Sequence, residues 1–568
     1  MARSATGCSV NPINTETDTE TERTPLLAGI PTPTTTAPAR LPALHTLLAP
    51  QDSASNDGDI DDDDDDGSSA GPDPVAHLRA VLRPRVTLLA FAIVFLVELG
   101  VGMVVPPANA IMESIICRQM HPEVFPPGLG PGPGFGTLAA ATSRFAGGIV
   151  LTDDPACKTP DVQGYLAMLR GWASTFECIP GIVGAVPYGI LSDRWGRKGV
   201  LGLSLLGIWV GTAFTYVVYC FSEVVPLRAV WFASAFQLVG GGGAVCVAML
   251  YTLVADVVAV DERATVFLRL AAVFLAAQMV AGPLAGVMMV RDPWIPLIVA
   301  LASLILANLA VLAVPETVHV HDRKQASSDQ DGNGLGDGDP QGGKLWRKAR
   351  KGLAEVWEFV FANKNLAVLM LSLVFVILGR FVGELLLQYA TDRYGWTWSR
   401  ASMVLSIHGG GSLVTLLVVL PVARWLCLQR LGISGAAKDL WLARWSGIAH
   451  IVGSLIIAAA ANGLFFSFGL VWFALGSGIS SLVRSLLNAL VEERHVGTVN
   501  TLVGLMEMVG LAVAGPLLAK SLSVGLNLGG PWIGLPFITA GLFFMISTTI
   551  LWAFRLPNGR RPPVAPSC

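Results

Sequence analysis

The sequence predicts an all-α membrane protein whose twelve transmembrane helices form two six-helix bundles. Hydrophobic residues make up 53% of the 568 residues and charged residues 14%, whereas about 25% of a soluble domain is charged. Many apolar stretches reach the length of about 20 residues that a helix needs to cross the hydrocarbon core. They are apolar throughout instead of alternating with polar residues, which argues against a membrane β-barrel.

Twelve apolar stretches are long enough to be spans, with six on each side of a polar connector. Two equal sets of helices are typical of transporters built from internal repeats. The predicted spans are residues 86–106, 165–190, 199–219, 227–258, 264–290, 294–314, 366–390, 400–420, 442–461, 464–488, 498–520 and 531–554.

The segments outside the spans have a different composition. Residues 1–80 include the acidic run Asp61–Asp66 and are rich in Thr, Pro and Ser, so we expect a disordered acidic cytoplasmic tail there. The predicted domains are this tail at 1–80, a six-helix bundle at 81–314, a cytoplasmic connector at 315–364, a second six-helix bundle at 365–555 and a cytoplasmic tail at 556–568.

The charge distribution predicts the orientation in the membrane. Residues 1–80 hold 14 acidic and four basic side chains, and the formal net charge of the whole chain is −3. The remainder of the chain is therefore cationic, and its Lys and Arg residues cluster in alternate loops. Loops rich in these residues stay in the cytoplasm, so both termini are expected to be cytoplasmic.

One short loop between two apolar spans contains several charged residues. Its motif residues are Gly189, Asp193, Arg194, Gly196, Arg197 and Lys198. The string resembles the signature loop between helices two and three of the major facilitator superfamily of transporters. The resemblance implies the two-bundle fold of that superfamily and transport by alternating access.

The chemistry of this loop suggests a gate. Asp193 can accept hydrogen bonds from Arg197 or from backbone N–H groups at a helix end, and Gly189 permits close helix contact. A cluster that forms in one conformation and breaks in the other supplies a two-state element. The alternative, that these charges only set the topology, accounts for the basic residues but not for Asp193.

Further strings resemble a fungal branch of the superfamily, related to multidrug and tetracycline-type exporters. Glu98 precedes a Pro-Pro pair near the first span. In the fifth span, Gly282, Pro283 and Gly286 resemble a motif of drug/proton antiporters. Small residues also occur wherever membrane helices pack closely, so this motif has a packing interpretation as well.

Two positions depart from the exporter pattern. Gln237 stands where many exporters carry an arginine in the fourth span, and because Gln holds no charge, any proton step must occur elsewhere. The signature loop should also recur between the eighth and ninth spans. The chain instead has Leu420–Arg424 and then Asp439–Arg444, with charges in comparable places.

A substrate site is expected near the bilayer midplane between the two halves. An ionisable side chain there costs about 2.5–3.5 kcal/mol on insertion scales and is a functional candidate by default. The candidates for substrate binding or proton coupling are Glu98, Arg170, Glu177, Gln237, Arg380, Glu384, Gln388, His408 and Glu507.

The spacing of these candidates predicts which of them share a face. Arg170 and Glu177 are seven residues apart, which places both on one side of the second span. Arg380, Glu384 and Gln388 follow one another at intervals of four in the seventh span. Arg380 and Glu384 therefore form either a structural ion pair or part of the substrate site, and the sequence leaves both interpretations open.

Two acids have no cation nearby in their own spans. Glu98 and Glu507 are for that reason the preferred proton carriers. A structural acid with a satisfied carboxyl group is the alternative interpretation for each.

Two of the eight cysteines indicate a disulfide. Cys117 and Cys157 lie in the long loop between the first two spans, on the predicted outer side, where disulfides persist. A bridge between them would contribute about 2–4 kcal/mol to local order.

Together these features favour a secondary active transporter that exports a small organic molecule, such as a toxin, drug or secondary metabolite, in exchange for protons. Proton-coupled uptake of a nutrient and a non-transporting membrane receptor remain alternatives. We expect no enzymatic activity, no cofactor and no metal site. The expected partners are the lipid bilayer, a small-molecule substrate and protons, without nucleic acid, and the protein is expected to be a monomer.

The cellular membrane is predicted only coarsely. The plasma membrane is favoured for an exporter. The string Glu22–Leu27 resembles an acidic dileucine sorting signal, which makes the vacuolar membrane the alternative.

Overall fold

The structure is a computed structural model that describes residues 74–122, 155–258, 260–315, 364–430, 432–433, 435–491 and 493–556. Within these ranges the side chains of several residues, Asp193 among them, are not described. The chain divides into two units, Met1–Ser69 and Ala70–Cys568, and all described residues belong to the second. Residues 1–73 of the predicted acidic tail, which include the dileucine-like string, and nearly all of the connector lie outside the described residues. Residues 74–80, predicted as part of the tail, instead begin the helix Pro74–Met120.

Every regular element in the described ranges is a helix, and twelve helical spans are long and apolar enough to cross a membrane. The all-α membrane class predicted from the sequence is thereby confirmed. The spans, α1 to α12 in chain order, are Leu82–Met120, Pro160–Ser192, Arg197–Cys220, Leu227–Val257, Thr265–Met289, Trp294–Leu312, Lys364–Tyr394, Trp398–Gln429, Gly435–Ala459, Gly463–Leu490, Leu502–Leu528 and Gly530–Ala553.

Several spans are longer than predicted, and α1 and α8 extend furthest beyond their predicted ends. α1 continues through Pro106 and Pro107 to Met120, because neighbouring helices in a membrane protein can satisfy the backbone groups that a proline releases. α8 continues to Gln429 through a π-helical turn that precedes Leu420. Residues 421–429, which were predicted to lie in the loop after the eighth span, are therefore helical and belong to α8.

α4 is interrupted, although the sequence predicts one continuous span. Gly240 and Gly241 have φ values of 97° and 78°, a backbone conformation that glycine adopts without a steric penalty. The helical segment before the break ends at Gln237, and the next begins at Gly242. The break leaves Gln237 at a helix end, beside α2.

The spans pack as two sets around separate apolar cores. In the first set, α1, α3, α4 and α6 enclose buried side chains such as Leu205 and Leu253. In the second set, Phe466 and Phe544 lie in a core shared by α7, α9, α10 and α12. This arrangement agrees with the predicted pair of six-helix bundles.

The two ends of the helical body carry different features. The disulfide face is the end that carries Cys117 and Cys157, and the signature face is the end that carries the turn Gly189–Lys198. The positive-inside pattern predicts that the signature face is cytoplasmic.

α2 and α11 join the bundles in the half of the body near the disulfide face. A Cβ added at Gly171 would lie 2.7 Å from the carbonyl oxygen of Gly515, so only glycine allows this approach. Thr175 Oγ1 donates a hydrogen bond to the carbonyl oxygen of Ala512 over 2.7 Å. Close backbone approach through small residues is typical of membrane helix pairs.

α5 and α8 form a second contact between the bundles, through the predicted Gly282-Pro283-Gly286 motif. Ser399 Oγ donates to the carbonyl oxygen of Gly286 over 2.6 Å. A Cβ at Gly282 would lie 2.8 Å from the carbonyl oxygen of Ser402. The motif therefore packs one bundle against the other, with Pro283 inside the helix between the two glycines.

The half of the body near the signature face is more open. A Cβ added at Gly189 or Gly504 would have no heavy atom within 4 Å. Glu177, Arg380 and Glu384 are exposed although they lie within spans, and charged groups within spans face the bundle interior or a water-filled cavity rather than lipid. The bundles are thus closed at the disulfide face, and the helix contact predicted at Gly189 is not formed in this conformation.

Candidate functional site

Two carboxyl groups of the first bundle have amide partners instead of cations. Glu98 of α1 accepts a hydrogen bond from Gln278 Nε2 of α5 over 3.3 Å. Glu177 of α2 hydrogen-bonds with Gln237 of α4. Neither acid takes part in the ion pairs recorded between described residues, so both can bind a proton or a cationic group.

Arg170 and Glu384 connect the two bundles. Arg170 Nη2 of α2 lies 3.8 Å from Glu384 Oε2 of α7, and Arg170 Nη1 donates to the carbonyl oxygen of Glu384 over 3.3 Å. The Glu384 side chain is 58% exposed and that of Arg170 is 16% exposed. This ion pair therefore lies at the inner end of the cavity, where the bundles close toward the disulfide face.

The ion pair considered for Arg380 and Glu384 is not formed. Residues Phe381–Leu385 adopt a 3-10 helix, which has three residues per turn and rotates Glu384 away from the face of Arg380. Arg380 Nη1 instead donates to Ser480 Oγ of α10 over 3.1 Å. No carboxylate among the described residues lies within ion-pair distance of Arg380.

Glu507 has a partner that its own span does not supply. Arg484 Nη2 of α10 lies 2.7 Å from Glu507 Oε1 of α11, so the lack of a cation within its own span does not leave Glu507 unpaired. Arg484 was not among the candidates, although an arginine within an apolar span is a signal that hydropathy alone provides. Arg380 also lies within electrostatic range of Glu507. The second bundle therefore presents two guanidinium groups and one carboxylate at this depth.

His408 packs as an aromatic ring. Its ring centroid lies 5.6 Å from that of Phe473, and its Nδ1 has no hydrogen-bond partner in the described part of the chain. Nearby, His450 stacks on Phe544 with ring centroids 4.3 Å apart. These contacts favour a packing role for His408 in this conformation.

Gln388 lies in the seam between the bundles and not on the open cavity. Its side chain is fully buried, and its Nε2 donates to the backbone oxygen of Gln163 over 2.8 Å and to its Oε1 over 3.0 Å. α2 and α7 are thus linked by two polar contacts, Gln163 with Gln388 and Arg170 with Glu384.

A third link lies at the disulfide face, centred on Glu113 of α1. Lys158 Nζ lies 2.5 Å from Glu113 Oε1, and the same carboxylate accepts hydrogen bonds from the Gln163 amide and from the Trp398 indole of α8. Glu113 was not among the predicted site residues, because the first span was predicted to end at residue 106. We call these four residues, Glu113, Lys158, Gln163 and Trp398, the outer cluster.

The disulfide between Cys117 and Cys157 is present in the structure. It joins the end of α1 to the 3-10 turn Pro155–Lys158 before α2. Both sulfur-bearing side chains are buried. The bridge therefore fixes Cys157, and with it the neighbouring Lys158, close to Glu113.

The signature loop forms a tight turn with defined partners. Gly196 has a φ of 94° and separates the helices of α2 and α3. Arg197 Nε lies 2.6 Å from Asp256 Oδ2 at the end of α4, and Lys198 Nζ donates to the carbonyl oxygen of Leu312 at the end of α6 over 2.8 Å. The predicted partner of Arg197 was Asp193, whose side chain is outside the described part of the structure.

The second bundle has a counterpart of this turn despite its different sequence. Arg424 Nη2 at the end of α8 lies 3.6 Å from Asp439 Oδ1 at the start of α9. Ser485 Oγ of α10 donates to Asp439 Oδ2 over 2.7 Å. In both bundles, an acid–arginine pair near the signature face joins consecutive helices.

Comparison with protein families places the chain in a known class. Residues 165–515 match the model of the Major Facilitator Superfamily, which is more than half of the chain. The protein belongs to the Major Facilitator Superfamily and is a multi-pass integral membrane transporter.

Several proteins that are similar to this chain are named as fungal transporters. The chain is 30% identical to the efflux pump ustT of Aspergillus flavus over 78% of this chain and 83% of that protein. It is 30% identical to the MFS efflux pump atnC of Emericella nidulans over 85% of this chain and 90% of that protein. It is 27% identical to the MFS-type transporter avaK of Aspergillus versicolor over 82% of this chain and 91% of that protein.

Solved structures show the same fold at low sequence identity. A crystal structure of the nucleoside transporter NupG matches with a TM-score of 0.52 and 13% identity over 82% of this chain and 98% of that chain. A crystal structure of a D-xylose-proton symporter matches with a TM-score of 0.52 and 13% identity over 82% of this chain and 97% of that chain.

Proposed function

We propose that the protein is a secondary active exporter that moves a small organic molecule, such as a toxin or secondary metabolite, out of the cytoplasm in exchange for protons. One observation supports the coupling: Glu98 and Glu177 lie at mid-length of their spans, and within the described part of the chain they have amide partners and no ion-pair partner. The export direction is supported by the relatives that are named efflux pumps.

In this proposal the protein acts as a monomer in the plasma membrane, with the vacuolar membrane as the alternative. The signature face is cytoplasmic, and substrate enters the cavity from that side. Export requires the contacts near the disulfide face to separate while the signature face closes. The residue pairs that separate include Arg170 with Glu384 and Gln163 with Gln388.

The coupling follows from competition at the acids. An ionised Glu98 or Glu177 can bind a cationic or hydrogen-bond-donating group of the substrate, whereas the protonated acid cannot hold a cation. A proton that arrives from the outer side therefore releases the substrate there. Moving one charge through 100 mV is worth about 2.3 kcal/mol, which is a sufficient driving force for export.

The experiment has two stages. A strain that lacks the gene is first challenged with a panel of toxins, and a compound retained in the deletion strain but not in the parent is selected. The purified protein is then reconstituted in vesicles with an imposed pH gradient. Movement of the compound against the proton flow supports export, whereas movement with the proton flow supports the uptake alternative. Binding of the compound without any flux would contradict both and favour a receptor.

A further inference from the structure

Asp392 continues the polar face of α7 beyond the residues already described. It lies one helical turn after Gln388 within the helix Leu386–Tyr394. Both of its carboxyl oxygens are buried, and neither has a hydrogen-bond partner among the described residues. A buried carboxylate in this position is strongly disfavoured, so its environment requires an explanation.

The charges around Asp392 do not balance. Among the described residues, Lys158, from the turn before α2, and Glu113 of α1 are the charged groups with the largest electrostatic influence on the Asp392 carboxyl group. The adjacent Arg393 donates instead to the carbonyl oxygen of Gly530. One ammonium group therefore faces two carboxyl groups.

Other charged residues near this face are engaged elsewhere or exposed. The guanidinium of Arg400 at the start of α8 lies 5.2 Å from the centroid of the Trp396 ring. Asp161, near the start of α2, is exposed. Arg400 forms no ion pair with Asp392 among the described residues, and Asp161 carries a charge of the same sign.

Glu113 already uses the available cation. Its carboxylate is 2.5 Å from Lys158 Nζ and accepts hydrogen bonds from Gln163 and Trp398. The Glu113 carboxyl group thus has three donors around it, and the Glu113–Lys158 ion pair is neutral as a unit. An ionised Asp392 would be a buried charge without a counterion, which is strongly destabilising. The neutral acid avoids this cost.

We propose that Asp392 is a proton-binding site of the gate at the disulfide face, protonated when this face is closed and ionised when it is open. One proton passes from water on that side to the Asp392 carboxylate as the outer cluster closes. The same proton returns to water when the bundles separate and hydrate the carboxylate. No other covalent bond is made or broken.

The direction of the pH effect follows from this exchange. Because the closed state binds one proton more than the open state, acid on that side favours closure and alkali favours opening. In the export cycle proposed above, on which this step depends, an acidic exterior would speed the return to the cytoplasm-open state after release. The pH-dependent closure itself requires no substrate.

The test measures opening of the disulfide face directly. Spin labels are attached through a ketone-bearing amino acid at Val224, in the loop between α3 and α4, and at Ala461, between α9 and α10; both positions are exposed, and the native cysteines stay intact. Distances between the labels are measured in nanodiscs by pulsed electron resonance at acidic and alkaline pH. In the protein with native Asp392, the distance between the labels should be short at acidic pH. At alkaline pH, a larger fraction of molecules should show a long distance.

Substitution at Asp392 should remove this response. Asp392→Asn, a permanent mimic of the neutral acid, is expected to stay closed at both pH values. The matched control Asp161→Asn neutralises an exposed acid of the same face and should respond like the unmodified protein. A normal pH response in Asp392→Asn, or no response in the unmodified protein, would overturn the proposal.

A second variant decides the question if Asp392→Asn does not fold. Asp392→Glu keeps a titratable group but moves it by one methylene, so the pH midpoint of opening should shift while the response persists. An unchanged midpoint would contradict the proposal. The readout is a distance between labels and not a flux. A negative flux assay therefore does not affect the interpretation of the distances, and an absent pH response in the distances does not contradict the proposed export.

Discussion

The guanidinium of Arg197 is held 2.6 Å from the carboxylate of Asp256, so that the turn between α2 and α3 is fixed to the end of α4. Both side chains are almost buried, at 10% and 11% exposure. Removing one partner of a buried ion pair costs about 3–5 kcal/mol, because the other charge loses its counterion.

Arg197→Ala should therefore lower the melting temperature of the purified protein by several degrees. Arg194→Ala is the matched control, because Arg194 is an exposed arginine of the same loop and its loss should change stability by less than about 0.5 kcal/mol. Equal melting temperatures for the two variants would show that the Arg197–Asp256 contact does not stabilise the fold.

Glu98→Gln should uncouple transport from protons. The amide can keep a hydrogen bond with Gln278 but cannot exchange a proton, so transport driven by a pH gradient should fall by at least about tenfold, which corresponds to about 1.4 kcal/mol, while exchange of substrate across vesicles persists. The measurement is flux of the compound selected in the toxin panel. Ser303→Ala, which removes a hydroxyl that donates to the Leu96 carbonyl on the same helix as Glu98, serves as the control. Retained pH-driven flux in Glu98→Gln would assign coupling to another acid.

The Arg484–Glu507 contact should give measurable coupling in a double-mutant cycle. Arg484→Gln and Glu507→Gln, alone and together, are compared by thermal unfolding. The side chains are 38% and 27% exposed, so solvent screens the pair, and we expect an interaction of about 1 kcal/mol or less. Strictly additive effects would mean that Glu507 is not held by Arg484.

Gly515→Ala should destabilise the closed disulfide face. Its Cβ would meet the backbone oxygen of Gly171, and overpacking of this kind costs about 1–3 kcal/mol. Gly504→Ala, on the same helix, has no heavy atom within 4 Å of the new Cβ and is the matched control. The result to check is a lower melting temperature for Gly515→Ala alone; equal stability of both variants would argue against the close α2–α11 approach.

Loss of the disulfide should loosen the outer cluster. In Cys117→Ser with Cys157→Ser, Lys158 is no longer fixed beside Glu113, and local stability should fall by about 2–4 kcal/mol. Faster proteolysis near the turn Pro155–Lys158 is the measurement. Cys220→Ser, a change at a cysteine outside the bridge, should cleave like the unmodified protein.

Much of the candidate site could be anticipated because a charge inside an apolar span is visible in the sequence. Glu98, Glu177 and Arg170 all prove to have polar partners within the body of the protein. Their partners could not be predicted, because Gln278, Gln237 and Glu384 come from other spans. Helix rotation and the pairing of spans are set by packing and not by hydropathy.

The misplaced expectations have local causes. Arg380 and Glu384 are four apart in sequence, but a 3-10 stretch changes their angular relation. Glu113 and Asp392 lie at span ends, where the boundary between loop and helix is least visible in a sequence.

By itself the sequence determined the all-α membrane class, the twelve spans and the signature turn, because long apolar runs and a short charged segment with glycines between two of them are visible in the local composition. Only the tertiary structure decided which charges meet: Arg197 with Asp256, Arg484 with Glu507, and Lys158 with Glu113 but not with Asp392. The physical reason is that ion pairs and hydrogen bonds act over a few ångströms, and in a bundle those distances are fixed by how helices from distant parts of the chain pack together.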